Sequence, residues 1–211
     1  MRRHLILALV LMFTLLGATT AQSAPITIVD TGYPLVATAG VGLYHNSLHF
    51  QFLAGQFRVE SPVTVTSAEG WIGTGDGGRL DVGIHSDIGL PGDLLYSETV
   101  NVLAWQGFDW RGPTGVNWFL PAGTYWISFI PQSTPDQWFG GMLVPAPFPL
   151  AHDAYWDSVN FGSGGVEWIP AHLDLGVRIL GKSAEPVPEP ASLLLFGTGL
   201  VGLRAWRKRR Q

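Results

Sequence analysis

Between residues 24 and 181, apolar and polar positions alternate in short runs, and glycine and proline separate the runs. In "LDLGVRIL", Leu173, Leu175, Val177 and Ile179 fall on one side and Asp174, Gly176 and Arg178 on the other. That two-residue period belongs to a strand with one buried face. "RLDVGIH" alternates the same way, with Leu80, Val82 and Ile84 inward, and "PVTVTSAEGWIG" contributes Val63 and Val65. "SLHFQF" puts Leu48, Phe50 and Phe52 on one face. The phase then moves to Phe57 and Val59 after Ala54-Gly55, which predicts a bulge or turn there. In "GTYWISFI" both Tyr125/Ile127/Phe129 and Trp126/Ser128/Ile130 are apolar enough for a central strand. No stretch of this region holds a 3.6-residue period, and no fixed-period repeat is evident. Many short strands between turn signals predict an all-β domain, a β-sandwich of jelly-roll type.

The two ends break the pattern. "MRRHLILALVLMFTLLGATTAQSA" has a basic start, an apolar centre from Leu5 to Leu16, and small residues at Ala21 and Ser23. This is the build of a secretory signal peptide cleaved before Ala24, with signal peptidase as the processing partner. At the other end, "GKSAEPVPEP" reads as an extended Pro-rich linker. "ASLLLFGTGLVGL" is apolar but shorter than the roughly 20 residues of a stable span, and three glycines weaken it as a helix. A basic cluster follows, and its charge holds it on the cytoplasmic side. The expected organisation is a signal peptide over 1–23, the β-domain over 24–181, a linker over 182–190 and an apolar segment with a basic tail over 191–211. An N-terminal signal helix and a short C-terminal apolar helix would flank the domain.

Val187-Pro188-Glu189-Pro190, the apolar run and "RKRR" together resemble the PEP-CTERM sorting signal. The resemblance covers about the last 25 residues. It implies a protein exported by a Gram-negative bacterium and recognised by an exosortase, a membrane transpeptidase-like enzyme. Proteins with this signal are associated with extracellular polysaccharide and biofilm matrix. By the same resemblance, Pro188, Glu189 and Pro190 are the recognition element. Leu193, Leu194, Leu195, Phe196, Leu200 and Leu203 form a transient inner-membrane segment, and Arg204, Arg207, Lys208, Arg209 and Arg210 form its basic stop. A second resemblance, in "LDVGIHSDIGLPGDLLYSETV" and "WFLPAGTYWISF", is to exported β-sandwich domains that carry other surface anchors. There Gly89, Pro91, Gly92 and Asp93 read as turn residues.

Charge and candidate chemistry narrow the function. Seven of the 12 basic residues sit at the termini, and the region from Pro25 to Lys182 holds five against fourteen acids. An acidic domain of this kind is not built to bind nucleic acid through bulk charge. The chain has no cysteine, so thiol catalysis and Cys-ligated zinc are excluded. Asp76, Asp81, Asp87 and Asp93 lie in a Gly-rich region and are calcium candidates, but EF-hand spacing is missing and turn chemistry accounts for them equally. The histidines lack metal-ligand spacing, and no G-x-S-x-G occurs. Glu60, Glu69, Glu98 and Glu167 are the acids from which a glycosidase pair would be drawn. Eight of the nine tryptophans lie in the domain. Trp105, Trp110, Trp138 and Trp156, in loop-like stretches, are candidates for stacking on sugar rings, against the ordinary alternative of core packing. No cofactor is expected. The expected function is that of a non-enzymatic surface or matrix component, with a carbohydrate-binding module and a glycan-active hydrolase as alternatives.

Overall fold

The computed structural model describes residues 24–34, 39–46, 49–132, 138–157 and 167–184. Every regular element among them is a strand: β1 (Pro25–Asp30), β2 (Ala39–His45), β3 (Phe50–Val59), β4 (Val63–Thr74), β5 (Gly78–Asp87), β6 (Pro91–Val102), β7 (Asp109–Arg111), β8 (Thr114–Leu120), β9 (Gly123–Pro131), β10 (Trp138–Val144), β11 (Asp153–Asp157), β12 (Ile169–Ala171) and β13 (Val177–Ser183). The ladders are antiparallel, and the main path runs β1-β13-β4-β10-β2-β3-β9-β5-β6. β7 and β8 lie along the other side of β4, and β11, with β12 beyond it, lies along β3. Pro25–Ala184 form one compact unit.

The all-β class is as expected. The jelly-roll sandwich gives way to a single curled, open sheet. β10 bonds to the end of β4 through Gly140–Met142 and to the whole of β2, and β2 joins β3. The two halves are therefore stitched into one ladder rather than stacked as separate sheets. The curl closes a core over the alternating residues. Val65, Ala68 and Ile72 of β4 and Val177 and Ile179 of β13 share one buried cluster with Leu80, Val82 and Ile84 of β5 and Ile127 and Phe129 of β9. Gly70 permits a close approach across this core: a methyl group there would sit 2.8 Å from the Phe129 ring. Each such aliphatic side chain contributes about 1.5–3 kcal/mol when fully buried.

A second apolar cluster covers the outside of the β3–β9 half: Phe52, Ala54, Trp126, Ala154 and Trp168, with Phe50, Leu90, Ile130 and Trp156 against it. It explains the phase change in β3. Leu53, Phe57 and Val59 face the main core, while Phe52 and Ala54 face the outer cluster. The pairing of β3 with β9 and β11 runs without a register shift, so the expected bulge at Ala54-Gly55 is absent. The strand is buried on both faces, and its largest residues change sides. β9, between β3 and β5, is central as its two apolar faces predict.

Three stretches expected as loops contain strands: "DWR" is β7, "WFGG" begins β10 and "AYWD" lies in β11. "LDLGVRIL" is strand only from Val177, because Asp174 turns the chain at φ 53. Leu175 is nevertheless fully buried. The signal helix and the C-terminal apolar helix fall outside the described residues, and no helix among the described residues is long and apolar enough to cross a membrane.

Candidate functional site

An open trough of about 390 Å³ lies where β2, β10 and the end of β4 meet the loop after β6. Six glycines line it (Gly40, Gly42, Gly73, Gly75, Gly140 and Gly141), with Phe108, Phe139, Met142 and Gln106 among the remaining lining residues. Three of these glycines are dictated by close packing. A methyl group on Gly140 would stand 2.5 Å from the Gly73 carbonyl, and one on Gly141 would stand 2.7 Å from the Val41 carbonyl. One on Gly73 would meet the Phe108 ring at 2.8 Å, so Phe108 packs directly on bare backbone. Phe139 is 60% exposed and Phe108 39%.

The loop beside the trough is pinned by its backbone. Thr74 donates from its hydroxyl to the Leu103 carbonyl (2.7 Å), and the Trp105 amide donates to the Gly75 carbonyl (2.7 Å). Arg111 donates to the carbonyls of Ile72 and Gly107 and to Gln106 Oε1. This framework holds Trp105 at φ 56 with its side chain 84% exposed. The loop backbone is thus held in the left-handed region at Trp105, and its indole stands out into solvent. Among the described residues the trough lining carries no ionisable side chain. The described lining offers aromatic faces, peptide groups, one hydroxyl and one carboxamide.

The structure scatters the four candidate tryptophans. Only Trp105 is largely exposed. Trp110, on β7, is half-buried; it meets Trp71 edge-on at 5.4 Å, and the Arg178 guanidinium sits 4.6 Å from its centroid. Arg178 in turn grips Glu69 through Nε (3.0 Å) and Nη2 (2.9 Å). Trp138 is 1% exposed and fills the core, so it has no face to offer a ligand. Trp156 packs edge-on against Phe50, Phe52 and Trp168 in the outer cluster. The residues the sequence reading missed are Phe108 and Phe139. Their signal was present in "GVG", "GTG" and "GG": glycine inside strands marks close backbone approach.

The four aspartates do not converge. Asp81 and Asp87 are six residues apart on β5, about 20 Å along a strand. Asp76 sits in the turn before β5, and Asp93 lies on β6. Asp81 accepts bonds from Gln132 on both oxygens. One Asp87 oxygen accepts from Trp126 Nε1 (2.7 Å), Gln56 Nε2 (3.0 Å) and the Gly89 amide (3.0 Å). The Trp126 bond is the main reason its pKa is lowered. Among the described residues no group of three or more acids and histidines could hold a metal ion.

His85 and Ser128 lie close beneath the outer cluster. His85 Nε2 is 2.9 Å from Ser128 Oγ, and Nδ1 is 3.1 Å from the Gly92 carbonyl. A carbonyl only accepts, so Nδ1 carries the proton and Nε2 accepts from the serine hydroxyl. Burial lowers the His85 pKa. Ser128 is wholly buried and the imidazole Nδ1 is held by a backbone carbonyl, so the pair forms a packed polar contact. Glu60 pairs with Arg58 at the surface, Glu69 is held by Arg178, and Glu98 and Glu167 are exposed.

Pro188, Glu189, Pro190, the apolar positions Leu193 to Leu203 and the basic stop lie outside the described residues. Comparison with family models matches residues 186–210 to the PEP-CTERM protein-sorting motif. No curated protein matches the chain. The matched motif implies an exported protein that is sorted by an exosortase through its C-terminal segment.

Proposed function

We propose that the chain is a non-enzymatic component of the cell surface or extracellular matrix of a Gram-negative bacterium, released to its working place by removal of both ends. Signal peptidase takes the first 23 residues. The apolar segment holds the chain briefly in the inner membrane until the exosortase acts near Pro188-Glu189-Pro190. The single observation that carries this reading is the sorting motif at residues 186–210. Intact-mass measurement of the protein from membrane and extracellular fractions tests it. Loss of both ends, with the domain outside, is the expected result. A Glu189→Ala chain of unchanged mature mass, or a native chain that keeps its basic tail, would overturn it.

A second reading concerns what the domain holds once outside. The bonded, exposed Trp105 and the exposed Phe139 beside a glycine-floored trough favour binding of extracellular polysaccharide. Aromatic faces stack on the C–H faces of sugar rings, and the bare peptide groups and Gln106 can meet hydroxyls. Affinity electrophoresis in matrix polysaccharide tests this reading. Trp105→Ala and Phe139→Ala should each abolish retardation without altering the melting temperature. Equal retardation of the variants and the native chain would remove the trough from consideration.

A further inference from the structure

We infer that the outer edge of β6 is a self-association edge, through which two copies of the chain pair β6 with β6, antiparallel, with Thr99 facing Thr99 across a two-fold axis. The sheet is open, and β6 is one end of its main path. Among the described residues β6 pairs with β5 alone. An unpaired strand edge is a template for another chain, and proteins that must avoid this shorten, kink or charge it.

The contrast within this molecule makes the point. β1, at the other end, has six residues, begins at Pro25 and is broken by a bulge between Thr27 and Val29. β7 and β12 have three residues each, and the pairing of β8 with β4 is interrupted by a register shift. β6 runs for 12 residues with no lysine or arginine and no proline after its first position; its charges are Asp93 and Glu98, and the register shifts of its pairing with β5 are confined to Pro91–Tyr96. Its stretch Tyr96–Val102 pairs with Ile84–Gly78 in unbroken register. Ser97, Glu98, Thr99 and Asn101 are exposed along it.

The occupant that fits is a second β6. With Thr99 opposite itself, Tyr96 faces Val102, Ser97 faces Asn101 and Glu98 faces Val100, so no like charges stand opposite one another. The two Glu98 side chains are diagonal, about 7–8 Å apart, and exposed to water and salt. Leu95, at the register shift of β6, and Leu103, just past its end, flank this stretch in each copy. These residues are 44% and 67% exposed in the single chain. The pairing is isologous and therefore closes at two. The blunted β1 edge stops further growth into fibres.

The chain has no cysteine, so a single introduced one reports the register. Antiparallel partners stand about 4.5–5.5 Å apart at Cα, within disulfide reach. The full-length chain carrying Thr99→Cys, oxidised in intact producing cells, should run as a disulfide-linked dimer on a non-reducing gel. Ser97→Cys and Asn101→Cys should each remain single chains, and should link to each other when expressed together. The mixed pair keeps the test alive if Thr99→Cys, which loses the hydroxyl bond to Asp81, folds poorly. Absence of both the Thr99→Cys dimer and the mixed dimer would overturn the inference, as would equal cross-linking of all three variants.

Discussion

Replacing Asp87 with alanine removes one carboxylate oxygen on which three hydrogen bonds converge. The most consequential donor is the Trp126 indole, on a residue 1% exposed, whose bond to Asp87 is part-buried. A bond to a charged acceptor contributes about 1.5–3 kcal/mol. The bonds from Gln56 and the Gly89 amide lie nearer solvent and add roughly 0.5 kcal/mol each. The expected cost of Asp87→Ala is thus about 2.5–4 kcal/mol. Asp87→Asn keeps the accepting oxygen and should cost about 1 kcal/mol or less. Urea unfolding of the three proteins measures this directly.

The pH dependence has a definite sign. The Asp87 pKa is lowered in the folded chain, so its contribution is present above the unfolded carboxylate pKa and is lost as pH falls through the folded one. Asp87→Asn should lack that part of the acid limb. Adding millimolar calcium should leave the native midpoint where it is, since an ion bound only by the folded state would raise it. An Asp87→Ala loss below about 0.5 kcal/mol, or an asparagine variant as damaged as the alanine, would refute the account of Asp87 as a structural acceptor.

Three further outcomes follow from the same contacts. Burial lowers the His85 pKa, so the unfolded chain binds the proton first. Unfolding free energy should fall as pH drops below the ordinary value of 6.5, and His85→Gln should flatten that slope in pH-dependent denaturation. Arg178→Ala should cost about 1–3 kcal/mol by stranding Glu69, and Arg178→Ala with Glu69→Ala should recover part of it in a double-mutant cycle. Gly77→Ala should lower the melting temperature, with a cost of about 2–4 kcal/mol, because φ is +73 and the new methyl group would sit 2.5 Å from the Ala104 amide nitrogen.

Alternation alone located the strands that face one core. Leu80, Val82 and Ile84, or Val63 and Val65, can only be read one way, because one side of each strand is apolar and the other is not. β3 misleads for a physical reason: it carries large side chains on both faces, and a pattern of two overlapping sets resembles a phase slip. Trp138 misleads because its neighbours "FGG" read as turn residues, while here the glycines serve close strand packing. The trough was partly legible through Trp105. The in-strand glycines marked a close backbone approach, but which aromatics meet there is set by ladders between segments more than 30 residues apart, and these bring in Phe108 and Phe139. The aspartates were close in sequence but, as strand residues, were drawn apart by extension.

The pairing of the first strand with the last has a consequence for how the chain matures. β13 is held between β1 and β4, so the earliest segment of the domain to emerge must wait for the final one. Ser183, where β13 ends, precedes the sorting motif at residue 186 by only three positions. In a chain that crosses a membrane from its N-terminus, the sheet cannot complete its register until nearly all of it has passed. Pairings of such long sequence separation form slowly. The strand that completes the sheet thus lies next in sequence to the segment that carries the sorting motif, and β1, first of the domain to emerge, receives its partner only when that end of the chain has followed.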